Sequence, residues 1–112
     1  METNSDAENN QEKRFYRVAS ISEIPPGTGR AVEVAGEDIA LFNVNGEYYA
    51  INELCPHRGA SLAIGFLEGG KVFCPLHCFD FNLKTGECGA VPSLRVRTYD
   101  VKIAGEDIFI AL

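Results

Sequence analysis

Long apolar runs, basic charge, helical periodicity and histidine are all scarce in this 112-residue chain, and each scarcity excludes a class of function. No stretch approaches the roughly 20 apolar residues that a membrane-crossing helix needs. No leader-like segment follows Met1, so the sequence predicts a cytoplasmic protein without a membrane partner. Lys and Arg number 10 against 16 Asp and Glu, a formal net charge of −6. Such a surface repels a phosphate backbone, which argues against nucleic acid as a partner. No nucleophile–base pair and no phosphate-cradling glycine loop is visible, so no catalytic residue is assigned and the chain alone is not expected to be an enzyme. Apolar residues at helical spacing are rare, whereas short β-rich runs between glycine turns are frequent. With 46% hydrophobic residues, there is material for the core of one small domain.

What is present is concentrated. Histidine occurs twice, and each copy lies within three residues of a cysteine: Cys55-Pro56-His57 and Cys74-Pro75-Leu76-His77, separated by the sixteen residues 58–73. Two soft thiolates and two imidazoles delivered by paired short loops form a metal site. One solution is a 2Fe-2S cluster with two cysteines on one iron and two histidines on the other. Each loop then supplies one ligand to each iron, which clamps the cluster between two loop tips. A structural Zn2+ held by the same four residues is the alternative. Zinc sites usually pair Cys with Cys and His with His, however, and a one-residue Cys-x-His spacing is short for them. Buried structural cysteines beside surface histidines would leave the repeated Cys-Pro pairs unexplained.

The chain resembles the Rieske family over roughly residues 14–112. Cys55-Pro56-His57-Arg58-Gly59-Ala60-Ser61-Leu62 and Cys74-Pro75-Leu76-His77 are similar to its two cluster-binding loops. Phe79-Asp80-Phe81 followed by Lys84-Thr85-Gly86-Glu87 resembles the strand and turn after the second loop. Val91-Pro92-Ser93-Leu94 through Tyr99-Asp100-Val101 is similar to the closing segment, whose proline loop lies over the cluster in the family. The resemblance implies one 2Fe-2S cluster held by Cys55, His57, Cys74 and His77.

The chemistry explains the ligand types. Two ferric ions and two sulfides carry a charge that two thiolates cancel, so the oxidised centre is neutral and the reduced one carries one negative charge. Neutral imidazoles in place of thiolates raise the potential relative to all-cysteine clusters. High-potential Rieske proteins carry an extra cysteine in each loop, joined as a disulfide. Here those positions are Ala60 and Leu76, and Phe79 replaces the serine whose hydroxyl donates to a cluster sulfur. The potential should therefore lie toward the low end of roughly −150 to +300 mV. Cys78 departs from the small or polar residue usual after the second histidine; it reads as apolar packing, with a ligand or reactive thiol as the alternative. Cys88 reads as a free thiol. Gly59 reads equally as a turn glycine or as a point of close backbone approach to the cluster.

The expected fold is all-β: a Rieske-type antiparallel sandwich or small barrel, with a smaller cluster-binding β subdomain over about residues 53–92. Residues 1–13 read as a disordered acidic tail before a domain spanning 14–112. Strands are expected at Phe15–Ala19, Arg30–Val34, Asp38–Val44, Glu47–Ile51, Lys71–Phe73, Phe79–Leu83, Val96–Ile103 and Ile108–Leu112. Ser20-Ile21-Ser22-Glu23 has capping-box spacing for one helical turn, stopped by Pro25-Pro26. Asn45-Gly46 reads as a type I′ hairpin turn.

Taken with the family resemblance, these features describe a single-electron carrier, monomeric in isolation. It would pass electrons from a flavin reductase to a terminal oxygenase, as similar proteins do in aromatic-ring dihydroxylation. The alternative within the family is the small subunit of an NAD(P)H-dependent nitrite reductase; outside it, a zinc-bound structural module. Pro56, Arg58, Pro75 and Leu76 are expected to frame a small, partly apolar docking face, sufficient for brief redox contacts.

Overall fold

The computed structural model describes residues 13–56, 59–76 and 79–112. The expected tail lies almost wholly outside the described residues, as do His57, Arg58, His77 and Cys78. Ten strands are present among the described residues. They are β1 Phe15–Ser20, β2 Thr28–Val34, β3 Glu37–Val44, β4 Glu47–Asn52, β5 Phe66–Glu68, β6 Lys71–Phe73, β7 Asp80–Asn82, β8 Thr98–Tyr99, β9 Val101–Ala104 and β10 Asp107–Ala111. Two single 3-10 turns, Ile21–Glu23 and Leu62–Ile64, complete the regular structure. The expectation of an all-β fold is met: three antiparallel sheets have the strand orders β9-β10-β1, β2-β3-β4-β8 and β5-β6-β7.

The central sheet is built from two tight hairpins. Asn45 and Gly46 both have positive φ, 54° and 91°, as a type I′ turn requires. Asn43 reinforces this hairpin from inside the protein. Its Oδ1 accepts from Gly46 N–H at 2.8 Å, and its Nδ2 donates to the Ile24 carbonyl at 2.7 Å. The preceding turn has the same form, with Ala35 at φ 51° and Gly36 at 84°. A link between the two strands through Ala35-Gly36-Glu37 is expected from the sequence, but its positive-φ form is not, because alanine rarely adopts that conformation.

Strand β3 divides the interior. Ile39 and Leu41 enter one apolar core with Ile108, Ile110 and Tyr99; Ala40 and Phe42 enter another with Cys55, Leu62, Cys74 and Phe81. Alternating side chains of a strand point to opposite faces, so a strand covered on both faces reads as the unbroken run Ile39-Ala40-Leu41-Phe42. Ala50 and Ile51 of β4 divide in the same way between the two cores.

One expectation needs correction. The segment 96–103 is not a single strand paired with 108–112. Thr98–Tyr99 instead pairs with β4, placing Ala50 opposite Tyr99, while Val101–Ala104 pairs with β10. The split follows from side-chain bonds that hold Arg97 and Tyr99 on the central sheet. Asn52 Oδ1 accepts from Arg97 N–H at 2.7 Å, and Asn52 Nδ2 donates to the Tyr99 hydroxyl at 3.2 Å. Burial raises the Tyr99 phenol pKa, and nearby Glu37, which accepts from the hydroxyl at 3.3 Å, raises it further against the opposing pull of Arg97. The short strand Phe66–Glu68 was not anticipated, and the strand expected at 79–83 is confined to Asp80–Asn82. The turn at 21–23 is as expected, with Glu23 Oε1 accepting from Ser20 N–H at 3.1 Å.

Gly86 closes the turn after β7. Its N–H donates to Asn82 O at 2.7 Å, and its carbonyl accepts from Val96 N–H at 2.8 Å. Its φ is +83°, and a Cβ there would lie 2.2 Å from the Val96 carbonyl oxygen. Gly86→Ala should therefore lower the unfolding free energy by about 3 kcal/mol, combining backbone strain with overpacking. A urea midpoint equal to wild type would contradict that geometry.

Candidate metal centre

The two Cys-Pro loops close in the same way. Cys55 N–H donates to Ala60 O at 2.8 Å, and Cys74 N–H donates to Phe79 O at 2.7 Å. Each bond spans five residues and folds a short loop back onto its own cysteine. The first loop is tightened further by Gly59, whose N–H donates to Cys55 O at 2.7 Å. Gly59 has φ +75°, and among the described residues a Cβ there would meet nothing within 4 Å. The positive φ alone favours glycine at this position.

This closure sets the direction of the side chains. Cys55 and Cys74 are each 1% exposed and lie in one apolar core, whereas Pro56, Gly59, Pro75 and Leu76 are exposed. Two of the four expected ligands are thus brought together at the loop bases. His57 and His77 lie outside the described residues, and among the described residues no three His, Cys, Asp or Glu gather as a metal site. Two thiols at the bases of matching loops that each carry a histidine suit mixed sulfur and nitrogen ligation, so the donor set fits a 2Fe-2S cluster. Cys88 is a buried free thiol in the same core, as expected from the sequence.

Two carboxylates that the sequence reading passed over hold the surroundings of the site. Glu53, 9% exposed, accepts from Ser61 Oγ and, at 3.1 Å, from Ala63 N–H. It follows buried Ile51 at strand spacing, and an acidic residue in that inward register was the available signal. Asp80 Oδ1 accepts from Ala90 N–H at 3.2 Å, while its Oδ2 pairs with Lys71 Nζ at 3.3 Å. Asp80 O also accepts from Gly89 N–H at 3.0 Å, so one residue anchors the start of the proline-containing segment 89–93.

The flank of the second loop is apolar and open. Phe66, Glu68, Phe73, Cys74 and Pro75 line a shallow groove of about 430 Å³, with the Phe66 and Phe73 rings 6.3 Å apart. Ile64 is 74% exposed, Phe66 65% and Leu76 67%. Gly65, between the first two, lets the backbone pack closely there, since a Cβ would sit 2.5 Å from Phe73 O.

Comparisons with known proteins agree with this arrangement. The sequence model of the Rieske 2Fe-2S domain matches residues 14–100. The 3-phenylpropionate/cinnamic acid dioxygenase ferredoxin subunit of Shigella boydii serotype 4 (strain Sb227) is 44% identical over 101 residues, covering 88% of this chain and 93% of the relative. The ferredoxin of carbazole 1,9a-dioxygenase from Nocardioides aromaticivorans IC177 superposes with a TM-score of 0.80 at 34% identity, covering 86% of this chain and 95% of that one. A Mycobacterium tuberculosis protein assigned as an NADH-dependent nitrite reductase small subunit gives a TM-score of 0.86 at 24% identity, covering 91% of this chain and 97% of that one; at that identity only the fold is shared.

Asp80→Ala should release the segment 89–93. Amide exchange at Ala90 should quicken and stability should fall by about 1–2 kcal/mol, while the Val72–Phe81 pairing stays protected. Unchanged exchange at Ala90 would mean that the Gly89–Asp80 backbone bond suffices.

Proposed function

The chain belongs to the Rieske 2Fe-2S domain family, and on that premise we propose that Cys55 and Cys74 ligate one iron of its cluster and His57 and His77 the other, in the ferredoxin component of an aromatic-ring dioxygenase system. The protein is an electron carrier rather than a catalyst, like its ferredoxin relatives. When bound, the cluster takes up and releases one electron. The observation that carries the ligand assignment is the matched closure of the two loops, which sets both thiols in one buried core and leaves Pro56, Pro75 and Leu76 at the surface.

The chain's own residues do the rest. Burial of Cys55 and Cys74 keeps water from the thiolates and lowers the local dielectric. The loop-closing bonds fix both cysteines before and after electron uptake, so little rearrangement accompanies the charge change. Leu76, Phe66 and Ile64 offer apolar contact beside Cys74, and the net charge of −6 steers encounter with basic partner surfaces. The donor is a flavin reductase and the acceptor a terminal oxygenase. Identity favours this over nitrite reduction, since the dioxygenase ferredoxins stand at 44% and 34% and the nitrite reductase subunit at 24%. Among the described residues no helix is long and apolar enough to cross a membrane. The buried thiol of Cys88 suits a reducing compartment, and we place the protein in the cytoplasm.

Purified protein should be red-brown, with about two iron and two acid-labile sulfide per chain. After dithionite, its EPR spectrum should have an average g below the free-electron value. A colourless, folded, zinc-loaded product would reject the cluster, and His57→Cys or His77→Cys with an unchanged potential would reject that histidine as a ligand. Leu76→Asp should slow electron delivery to the oxygenase by about tenfold, as loss of an apolar anchor does, with the EPR spectrum unaltered. Wild-type delivery rates would move the docking face elsewhere.

A further inference from the structure

Among the described residues, Glu53 is the one charged side chain that is buried. It stands two positions before Cys55 and takes part in four bonds that all serve the first loop. Its N–H donates to Asp38 O at 3.0 Å, tying it to β3. Its carbonyl accepts from Leu62 N–H at 2.7 Å. Its Oε1 accepts from Ala63 N–H at 3.1 Å, and its Oε2 accepts from Ser61 Oγ. The neighbouring Leu54 and Ser61 form an isolated antiparallel bridge. The two ends of the loop, 53–55 and 60–63, are thereby fastened to each other by backbone bonds and by the Glu53 side chain.

Burying the Glu53 carboxylate costs more free energy than burying a neutral amide in the same place. Its placement beside Cys55 has an electrostatic consequence. With both thiolates bound, the oxidised centre is neutral and the reduced centre carries one negative charge. A fixed anion held nearby in low dielectric opposes the second state more than the first.

We propose that Glu53 is a positioning residue for Cys55 whose negative charge also holds the reduction potential of the centre low. This rests on the reading of Cys55 as an iron ligand. The hydrogen bonds keep the loop closed so that the cluster is retained, and the charge biases the bound cluster toward its oxidised form. Both effects come from the same carboxylate, and substitutions separate them.

The test uses the purified, cluster-loaded full chain and three variants: Glu53→Gln, Glu53→Asp and Ser61→Ala. Potentials come from spectroelectrochemical titration, and cluster retention from the decay of visible absorbance under a chelator. Glu53→Gln removes the charge at nearly constant volume and should shift the potential in the positive direction. Ser61→Ala removes one bond and keeps the charge, so it should shorten cluster lifetime severalfold with a smaller change in potential. Glu53→Asp restores the charge with a shorter reach, so its potential should return toward wild type while its lifetime stays short. A Glu53→Gln protein with the wild-type potential overturns the electrostatic role. Wild-type lifetimes in both Ser61→Ala and Glu53→Asp overturn the positioning role. If Glu53→Gln does not accumulate, the Glu53→Asp and Ser61→Ala pair still decides, because both keep the charge, and a clear positive shift of potential in both would assign the low potential to the hydrogen bonds and overturn the electrostatic role. Failure of the underlying reading looks different: the wild-type protein itself would then hold no iron, or Cys55→Ser would retain the full cluster.

Discussion

Burying two thiols in one apolar core is the demand around which this small structure is arranged. Thiolates lose hydration there, and that loss is offset only when a metal takes up their charge. The backbone must therefore hold both sulfurs in place. It does so through one repeated bond, from each cysteine's N–H to the carbonyl five residues on, Cys55 to Ala60 and Cys74 to Phe79. Strand β3 gives these loops their floor. It presents Ala40 and Phe42 to the cysteines while Ile39 and Leu41 close an independent core behind it. The site thus rests on a wall that is stabilised from both faces.

Much of this could be read in the sequence, and the part that could not has a physical reason. The two Cys-Pro loops, the Asn45-Gly46 hairpin, the capped turn at 20–23 and the β-rich character are written in local residue types. Each depends on spacing within a few positions. The division of 96–103 between two sheets depends on Asn52, more than forty positions away, whose amide binds both Arg97 and Tyr99. Periodicity within the segment carries no trace of it. The connection at Ala35-Gly36 was legible but its turn type was not, because alanine is a poor witness to a positive φ. Glu53 and Asp80 were missed for a related reason: a carboxylate in sequence reads as surface charge until burial and partners are known.

The two carboxylates also account for what the chain does without. High-potential relatives pin their loops to each other with a disulfide, whereas Ala60 and Leu76 stand at those positions here. Hydrogen bonds donated by 61–63 to Glu53 and by 89–90 to Asp80 provide the local fastening. Such fastening is reversible and leaves negative charge near the site, both suited to a carrier that must part with its electron readily. For the proposed docking face, the exposed Ile64, Phe66 and Leu76 suffice, since a transient partner needs only a few apolar contacts.

Arg14 and Leu112 exchange both of their backbone hydrogen bonds, at 3.0 and 2.9 Å. Residues 14 and 112 therefore lie side by side, next to the strands β1 and β10 that close the core lying on the other side of β3 from the cysteines. A unit with neighbouring ends can be spliced into a longer polypeptide, or joined head to tail with another module, without any sheet having to open. Evolution and the protein engineer can therefore treat it as a portable cassette for redox wiring.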